Sequence, residues 1–357
     1  MSSHSGMNYA PKGKPQPVCD PGAFVMAAVS LEHGHIYGMC NGLTEAGATL
    51  KWVYDPDPEK VAAFAKMYPQ VQVADSEEQV FDDSTVHLIA SAAIPSQRCE
   101  LGLRAMAAGK DYFTDKTPMT TLDQVDQARA QVRRTGRKYA VYYSERLHVE
   151  AAVHAGVLVR EGAIGRVVQV IGTGPHRISI DQRPPWFFEH KSYGGILCDI
   201  GSHQIEQFLY FSEAKDAEVL HSKVANYRFK DYPELEDFGD ATLLADNGAT
   251  NYFRVDWLTP EGLRTWGDGR TFILGTHGTI ELRKYIDITR DGGGDQLFLI
   301  NDDGEKHMAL SGKVGFPFFG QLILDCLNRT ENAMSQDHAF KAVELCIKAQ
   351  NQAIRVE

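Results

Sequence analysis

Between Phe24 and Tyr143, short and nearly continuous apolar runs alternate with segments whose apolar residues recur every three or four positions. Few folds accommodate that order. A strand that is apolar on both sides must be covered on both faces, and parallel neighbours need a crossover helix between them. Strands are expected at Phe24–Val29, Leu50–Tyr54, Val71–Val73, Val86–Ala90, Asp111–Phe113 and Lys138–Tyr143. Helices are expected through Met39 and Leu43, from Pro58 behind Asp57, from Cys99 to Ala108, and from Leu122 to Arg134. Pro58 suits a first helical position, and Gly109 and Gly136 suit helix ends. The expected first domain is therefore α/β, a doubly wound parallel sheet of the Rossmann type.

The texture changes near Ser144. A helix is expected from Ala151 to Arg160, and then period-two segments dominate: Val167–Gly172, Ser222–Phe229, Ala241–Trp257, Thr271–Ile288 and Gln296–Ile300. Turn clusters such as Asp246-Asn247-Gly248 separate or interrupt them. Two helices, Phe318–Arg329 and His338–Arg355, close the chain. The expected division is an N-terminal arm over 1–22, a dinucleotide-binding domain over 23–144, and an α+β domain with a large, mostly antiparallel sheet over 145–357. The apolar residues Phe253, Val255, Trp257, Phe272 and Ile280 lie on its long strands, and a sheet face of that kind needs a cover. A homodimer or homotetramer through this sheet is expected.

Composition narrows the function classes. The chain carries 47 acidic against 36 basic residues, a formal net charge of -11. That argues against nucleic acid or an anionic membrane as the main partner. No apolar run approaches the roughly 18 residues of a membrane span. The six cysteines lie far apart with no C-x-x-C pair, which is neither a disulfide framework nor a zinc pattern. They are expected to be reduced thiols of a cytoplasmic protein.

Three places can carry chemistry. The first is the loop Ser30-Leu31-Glu32-His33-Gly34-His35, where the phosphates of a dinucleotide would meet a helix N-terminus. His33, Gly34 and His35 are candidate cofactor-binding residues. Asp55 follows about 20 residues later, where an acidic side chain holds ribose hydroxyls, and Asp57 adds charge that would repel a 2′-phosphate. NAD is favoured over NADP. A turn with a helix cap explains Asp55-Pro56-Asp57-Pro58 equally well. The H-x-H pair lacks a third ligand of identifiable spacing, so no metal is expected.

The second place is Gly194–Glu206, which opens a helix expected to run to about Phe211. Asp199 and His203 are four apart and share a helical face. A carboxylate beside an imidazole fixes its tautomer and raises its basicity, as a general base requires. An N-cap and a surface histidine would give the same spacing. The third is Lys116, just past the strand Asp111–Phe113, where an ammonium can hold a substrate oxygen; an ordinary loop lysine is the alternative.

With these sites in order, the chain resembles the glucose–fructose oxidoreductase / inositol dehydrogenase / MocA (Gfo/Idh/MocA) family over nearly its whole length after the arm. The resemblance rests on the loop at His33-Gly34-His35, on Ala107-Ala108-Gly109-Lys110 before Asp115-Lys116, on Gly162-Ala163-Ile164-Gly165, and above all on Gly194–His203. It implies an oxidoreductase that moves a hydride between a sugar, cyclitol or related polyol and a nicotinamide cofactor. Lys116 matches the family's E-K-P lysine, Asp199 its aspartate and His203 its catalytic histidine. Arg146, His176, Arg177, Arg183 and Trp186 fall in segments that often line the sugar pocket. Ser30 and Glu32 replace family glycines, Asp115 replaces a Glu and Thr117 a Pro, so a trans peptide is expected before Thr117. Two other functions share the fold: an NAD-dependent glycosidase or lyase with transient oxidation, and a non-catalytic nucleotide sensor.

Overall fold

The computed structural model describes residues 5–290 and 293–356. The alternation in the first third becomes β1 (Val25–Val29), α1 (His35–Glu45), β2 (Thr49–Tyr54), α2 (Pro58–Met67), β3 (Gln72–Val73), α3 (Glu77–Asp82), β4 (Leu88–Ser91), α4 (Pro95–Ala107), β5 (Asp111–Asp115), α5 (Leu122–Thr135) and β6 (Tyr139–Tyr142). The strands pair in the order β3-β2-β1-β4-β5-β6, and every pairing is parallel. This is the Rossmann order, with its switch point between β1 and β4. Every residue of β1, β4, β5 and β6 is buried, as the apolar runs require. Pro58 stands at the start of α2 with Asp57 as its N-cap. Thr121 and Gln124 form a capping box on α5, and Gly136 closes it at φ +65.

The remaining elements are α6 (Ser144–Leu147), α7 (Glu150–Arg160), β7 (Val167–Pro175), α8 (His190–Tyr193), α9 (Ile196–Asp199), α10 (Gly201–Ser212), β8 (Ala217–Ala225), β9 (Phe238–Ala245), β10 (Thr250–Asp256), β11 (Arg270–Gly275), β12 (Gly278–Arg283), β13 (Gln296–Asn301), β14 (Gly304–Ala309), α11 (Pro317–Asn328), α12 (Gln336–Asn351) and β15 (Ile354–Val356). Nine strands form one sheet in the order β14-β13-β12-β11-β7-β10-β9-β8-β15. Only β7–β10 and β8–β15 pair in parallel. The long Ala241–Trp257 and Thr271–Ile288 segments each fold into a hairpin, β9–β10 and β11–β12.

Two compact units result. One takes in residues 7–142 and 317–340, the other 5–6, 143–316 and 341–356. Residues 317–340, expected with the second domain, thus pack in the Rossmann unit. Phe318 and Phe319 of α11 meet Phe113 of β5, at ring separations of 5.9 and 6.3 Å. Gly42 of α1 leaves the room that the Phe319 ring takes; a Cβ there would lie 2.4 Å from it. From Met7 onward the arm also belongs to this unit: the N–H groups of Gln16 and Val18 donate to the carbonyls of Glu45 and Ala46.

Candidate functional site

The Rossmann unit presents one group of candidate residues at the carboxyl ends of its strands. Ser30 leaves β1 at φ +62, a left-handed turn that glycine makes more easily. Gly34 is the N-cap of α1 and has no side chain to cap it; the His35 N–H donates to His33 Nδ1 at 3.3 Å. Gly38 lets the Tyr142 hydroxyl come within 2.6 Å of where a Cβ would stand. The close helix packing of a dinucleotide fold is therefore supplied one to two turns into α1, by Gly38 and Gly42. Glu32 forms an ion pair with Lys60 at 2.6 Å, which offsets its charge beside the loop.

Asp55 is buried at the end of β2. It accepts the Leu31 N–H at 2.6 Å and the Asp57 N–H at 2.9 Å, tying the loop to β2. Each carboxylate oxygen has a second lone pair, so ribose hydroxyls can still donate to it. Asp57 in turn caps α2 through the Glu59 N–H. The capping reading of the Asp55–Pro58 segment thus holds on Asp57, which leaves Asp55 available for the other role. A helix that opens on glycine at the switch point, an acidic residue after β2 and a neutralised Glu32 fit a dinucleotide.

β5 runs two residues further than expected and ends at Asp115, which is fully buried. His35 Nδ1 lies 2.9 Å from Asp115 Oδ1 and His33 Nδ1 3.4 Å from Oδ2. These three ligand atoms lie within 4.8 Å of one another, so the fold supplies the partner that spacing alone did not. Asp115 Oδ2 also accepts from Arg98 at 3.1 Å, and Oδ1 from the Lys116 N–H at 2.8 Å. A guanidinium is already the cation on this carboxylate, and we read the group as a buried ion-pair network. Burial pushes the Asp115 carboxyl up, but His35, Arg98 and His33 outweigh it and hold it far below the usual carboxylate range.

Lys116 follows, itself buried. The expectation of a trans peptide before Thr117 is wrong: the Lys116–Thr117 bond is cis. The Arg98 guanidinium donates to the carbonyls of both Lys116 and Thr117, which fixes the two groups that flank the bond.

The second unit carries the other group. α10 lies over β7 and β10. Gly172 and Gly174 of β7 permit this, because Gln204 fills the space their missing side chains leave. His203 sits in the first turn of α10, 2% exposed. It is not the surface histidine that the alternative reading required. Asp199 ends α9, four residues earlier, and its charge acts on Arg183.

The pocket candidates separate into two kinds. Arg183 is buried, donates to the Ile178 carbonyl at 2.7 Å, and stacks on Phe187 and Trp257 at 4.3 and 4.7 Å. Burial lowers its pKa to about 10, against the pull of Asp199. His176 packs between Trp257 and Trp266, with Nδ1 3.1 Å from the Gly174 carbonyl. Trp186 is half-buried against Phe187. Arg146 and Arg177 are engaged by the protein itself. Arg146 grips both oxygens of Glu206 at 2.7 and 2.9 Å and lies 3.9 Å over the Tyr210 ring. Arg177 donates to the carbonyls of Pro260, Glu261 and Leu263, clamping that loop.

Sequence reading missed Glu145 and Lys284. Glu145 Oε2 accepts from Lys284 Nζ at 2.7 Å and from Gln204 Nε2 at 3.1 Å. Its Oε1 faces His176 Nε2 at 4.0 Å. Burial pushes the Glu145 carboxyl up, but Lys284, His203 and His176 reverse this and leave it at about 2. Partners 139 residues apart offer no local spacing to find.

Comparison with known proteins follows the same division. Residues 33–143 match the model of an oxidoreductase family with an NAD-binding Rossmann fold, and residues 153–281 that of the Gfo/Idh/MocA C-terminal domain. The D-xylose dehydrogenase of Paenarthrobacter nicotinovorans is 26% identical over 149 residues, 40% of this chain and 38% of that protein. The scyllo-inositol 2-dehydrogenase (NAD(+)) of Bacillus subtilis strain 168 is 24% identical over 240 residues, 66% of each. The chain spans less than two thirds of the length of these curated relatives. A solved candidate oxidoreductase from Erwinia carotovora atroseptica SCRI1043 is 52% identical, with a TM-score of 0.91, covering 94% of this chain and 100% of that one.

Proposed function

Because the chain belongs to the Gfo/Idh/MocA oxidoreductase family, we propose that it moves a hydride between a hydroxyl-bearing carbon of a sugar, cyclitol or related polyol and a nicotinamide dinucleotide. The observation that carries this is His203, buried in the first turn of α10 four residues after Asp199, in a chain whose other unit is an NAD-binding Rossmann fold. Relatives that act on xylose and scyllo-inositol support the substrate class.

His203 takes the hydroxyl proton on an imidazole nitrogen, and Asp199 assists by favouring the charged ring. Lys116 holds the reacting oxygen and stabilises charge that develops on it. Asp55 receives ribose hydroxyls, and His33, Gly34 and His35 lie beside the phosphates. A bound nicotinamide supplies the hydride acceptor. Glu32, Asp55 and Asp57 all act on Lys60, and that acidic balance supports NAD over NADP. Six free cysteines suit a reducing, cytoplasmic setting.

An assembly of two or more copies through the nine-stranded sheet completes the proposal. Phe272, Ile171 and Tyr252 stand directly opposite one another across β11, β7 and β10. Leu244, Leu274 and Ile300 share their face by register, and all but Ile171 are well exposed. A second copy of the same sheet is the occupant that would cover this stripe.

The test is nicotinamide reduction over a panel of sugars and polyols. His203→Ala should lower kcat by roughly 10²–10⁴-fold, and Lys116→Ala should also slow turnover. Wild-type turnover in both variants would overturn the assignment. Glycoside cleavage without net cofactor reduction would replace a dehydrogenase with a hydrolase or lyase.

A further inference from the structure

The double glycine that opens the Gly194–Glu206 segment meets a side chain from the far end of the chain. Gly195 is the N-cap of α9, at φ +89 and ψ 160, and offers that helix no side chain. The first N–H groups of a helix have no partner within it. Here two buried side chains serve them. The Ile196 N–H donates to Glu236 Oε2 at 2.9 Å, and the Leu197 N–H to Gln350 Oε1 at 3.0 Å. Gln350 Nε2 in turn donates to both Glu236 oxygens, at 3.0 and 2.9 Å, which closes the cap. A Cβ on Gly195 would lie 2.2 Å from the Gln350 amide carbon, so glycine is what admits the amide. Glu236 is itself fixed. Its N–H donates to the Tyr193 hydroxyl at 3.0 Å, and its Oε1 pairs with Arg355 at 2.8 Å. Burial pushes its carboxyl up, but His190 and the Ile196 N–H outweigh this and hold it below its usual range.

The cap continues into the candidate base by hydrogen bonds. The Gly195 carbonyl accepts the Asp199 N–H at 2.9 Å. The Ile196 carbonyl accepts the Ile200 N–H at 3.0 Å, and the Ile200 carbonyl the His203 N–H at 3.2 Å. We propose that Gln350, with Glu236, is a positioning residue for the Asp199–His203 pair: the amide from α12 sets where α9 begins, and through it the backbone of both residues. The inference rests on the roles given to that pair in the proposed function. Gln350 acts through the backbone and touches neither substrate nor cofactor in this role. A misplacement of about 1 Å can cost about 10²-fold in rate. With only four residues in α9, a displaced first residue is felt at Asp199, its last.

Gln350→Met nearly keeps the side-chain volume and removes its hydrogen bonds. Ser222→Ala is the control. The Ser222 hydroxyl donates to the Ala349 carbonyl at 2.7 Å, so its loss disturbs α12 beside Gln350 and leaves the cap in place. The readouts are melting temperature, hydrogen exchange of the 196–203 amides by mass spectrometry, and kcat and KM on whichever polyol turns over. Both variants should lower the melting temperature. Only Gln350→Met should speed exchange across 196–203 and lower kcat about tenfold, with KM within about twofold. The exchanged pair, Glu236→Gln with Gln350→Glu, keeps an acceptor for each N–H and a donor between the two side chains. It should recover most of the lost kcat. Gln350→Glu alone sets two carboxylates face to face and should not. Full kcat in Gln350→Met, or an equal loss in Ser222→Ala, makes the cap purely structural and overturns the proposal. If Gln350→Met does not fold, Gln350→Glu against the exchanged pair decides: equal kcat overturns it. A wild type that reduces nicotinamide with no polyol rejects the dehydrogenase reading and this assignment with it. An active wild type with full kcat in Gln350→Met rejects this assignment alone.

Discussion

Asp115 shows how much one side chain can organise. Its two oxygens receive His35, His33, Arg98 and the Lys116 N–H, and none of these reaches bulk water through it. Replacing the charge while keeping the shape leaves the Arg98 guanidinium, 1% exposed, without its carboxylate. Asp115→Asn should therefore destabilise the Rossmann unit by about 3–5 kcal/mol, read by urea unfolding. The wild-type contribution has a sign in pH. A carboxyl depressed on folding adds stability above its unfolded pKa of about 3.9, and that stability is lost as pH falls. Acid unfolding of Asp115→Asn should lack this component. An equal acid sensitivity in both proteins would refute the network as a source of stability.

At the scale of elements, Asp295 couples the strand β13 to the start of α7. It accepts the Ala151 N–H at 2.9 Å, one residue beyond Glu150. Burial first, and Glu150 second, push it up to about 6 against that hydrogen bond. The folded protein therefore holds this proton more tightly than the unfolded chain. Stability is full below about pH 4 and falls as pH rises to about 6, by roughly 2 kcal/mol given the residue's partial exposure. Asp295→Asn should flatten that part of the stability profile, and an unchanged slope would exclude it as the source. The elements themselves were largely legible. The strands around Ala28, Val53, Ile89, Phe113 and Val141 followed from apolar runs, because parallel strands bury both faces. Helix starts were less so: α4 begins at Pro95, four residues before Cys99, and α3 carried only one buried residue, Val80, to mark it. Lys116, just past β5, and Asp199 and His203, four residues apart where α9 gives way to α10, could be singled out from local spacing. Partners that meet only through folding left no such spacing, as with His35 and Asp115, 80 residues apart, or Glu145 and Lys284.

For the whole molecule, the apolar stripe on the nine-stranded sheet predicts association. Light scattering at micromolar concentration should return at least twice the 39.6 kDa chain mass. Charges placed on the stripe, as in Tyr252→Glu with Phe272→Glu, should shift the population towards the monomer, since buried unpaired carboxylates are costly. A monomer in the wild type would refute the interface. The last consequence comes from α11. A ribosome releases residues 7–142 long before residues 317–340, which complete their unit. Until Phe318 and Phe319 arrive, the rings of Phe113 and Tyr142 and the glycine cleft of α1 lack their cover. The nascent Rossmann half must therefore wait, incomplete, through synthesis of nearly the whole second unit, and its window of vulnerability to aggregation is set by translation rather than by its own folding speed.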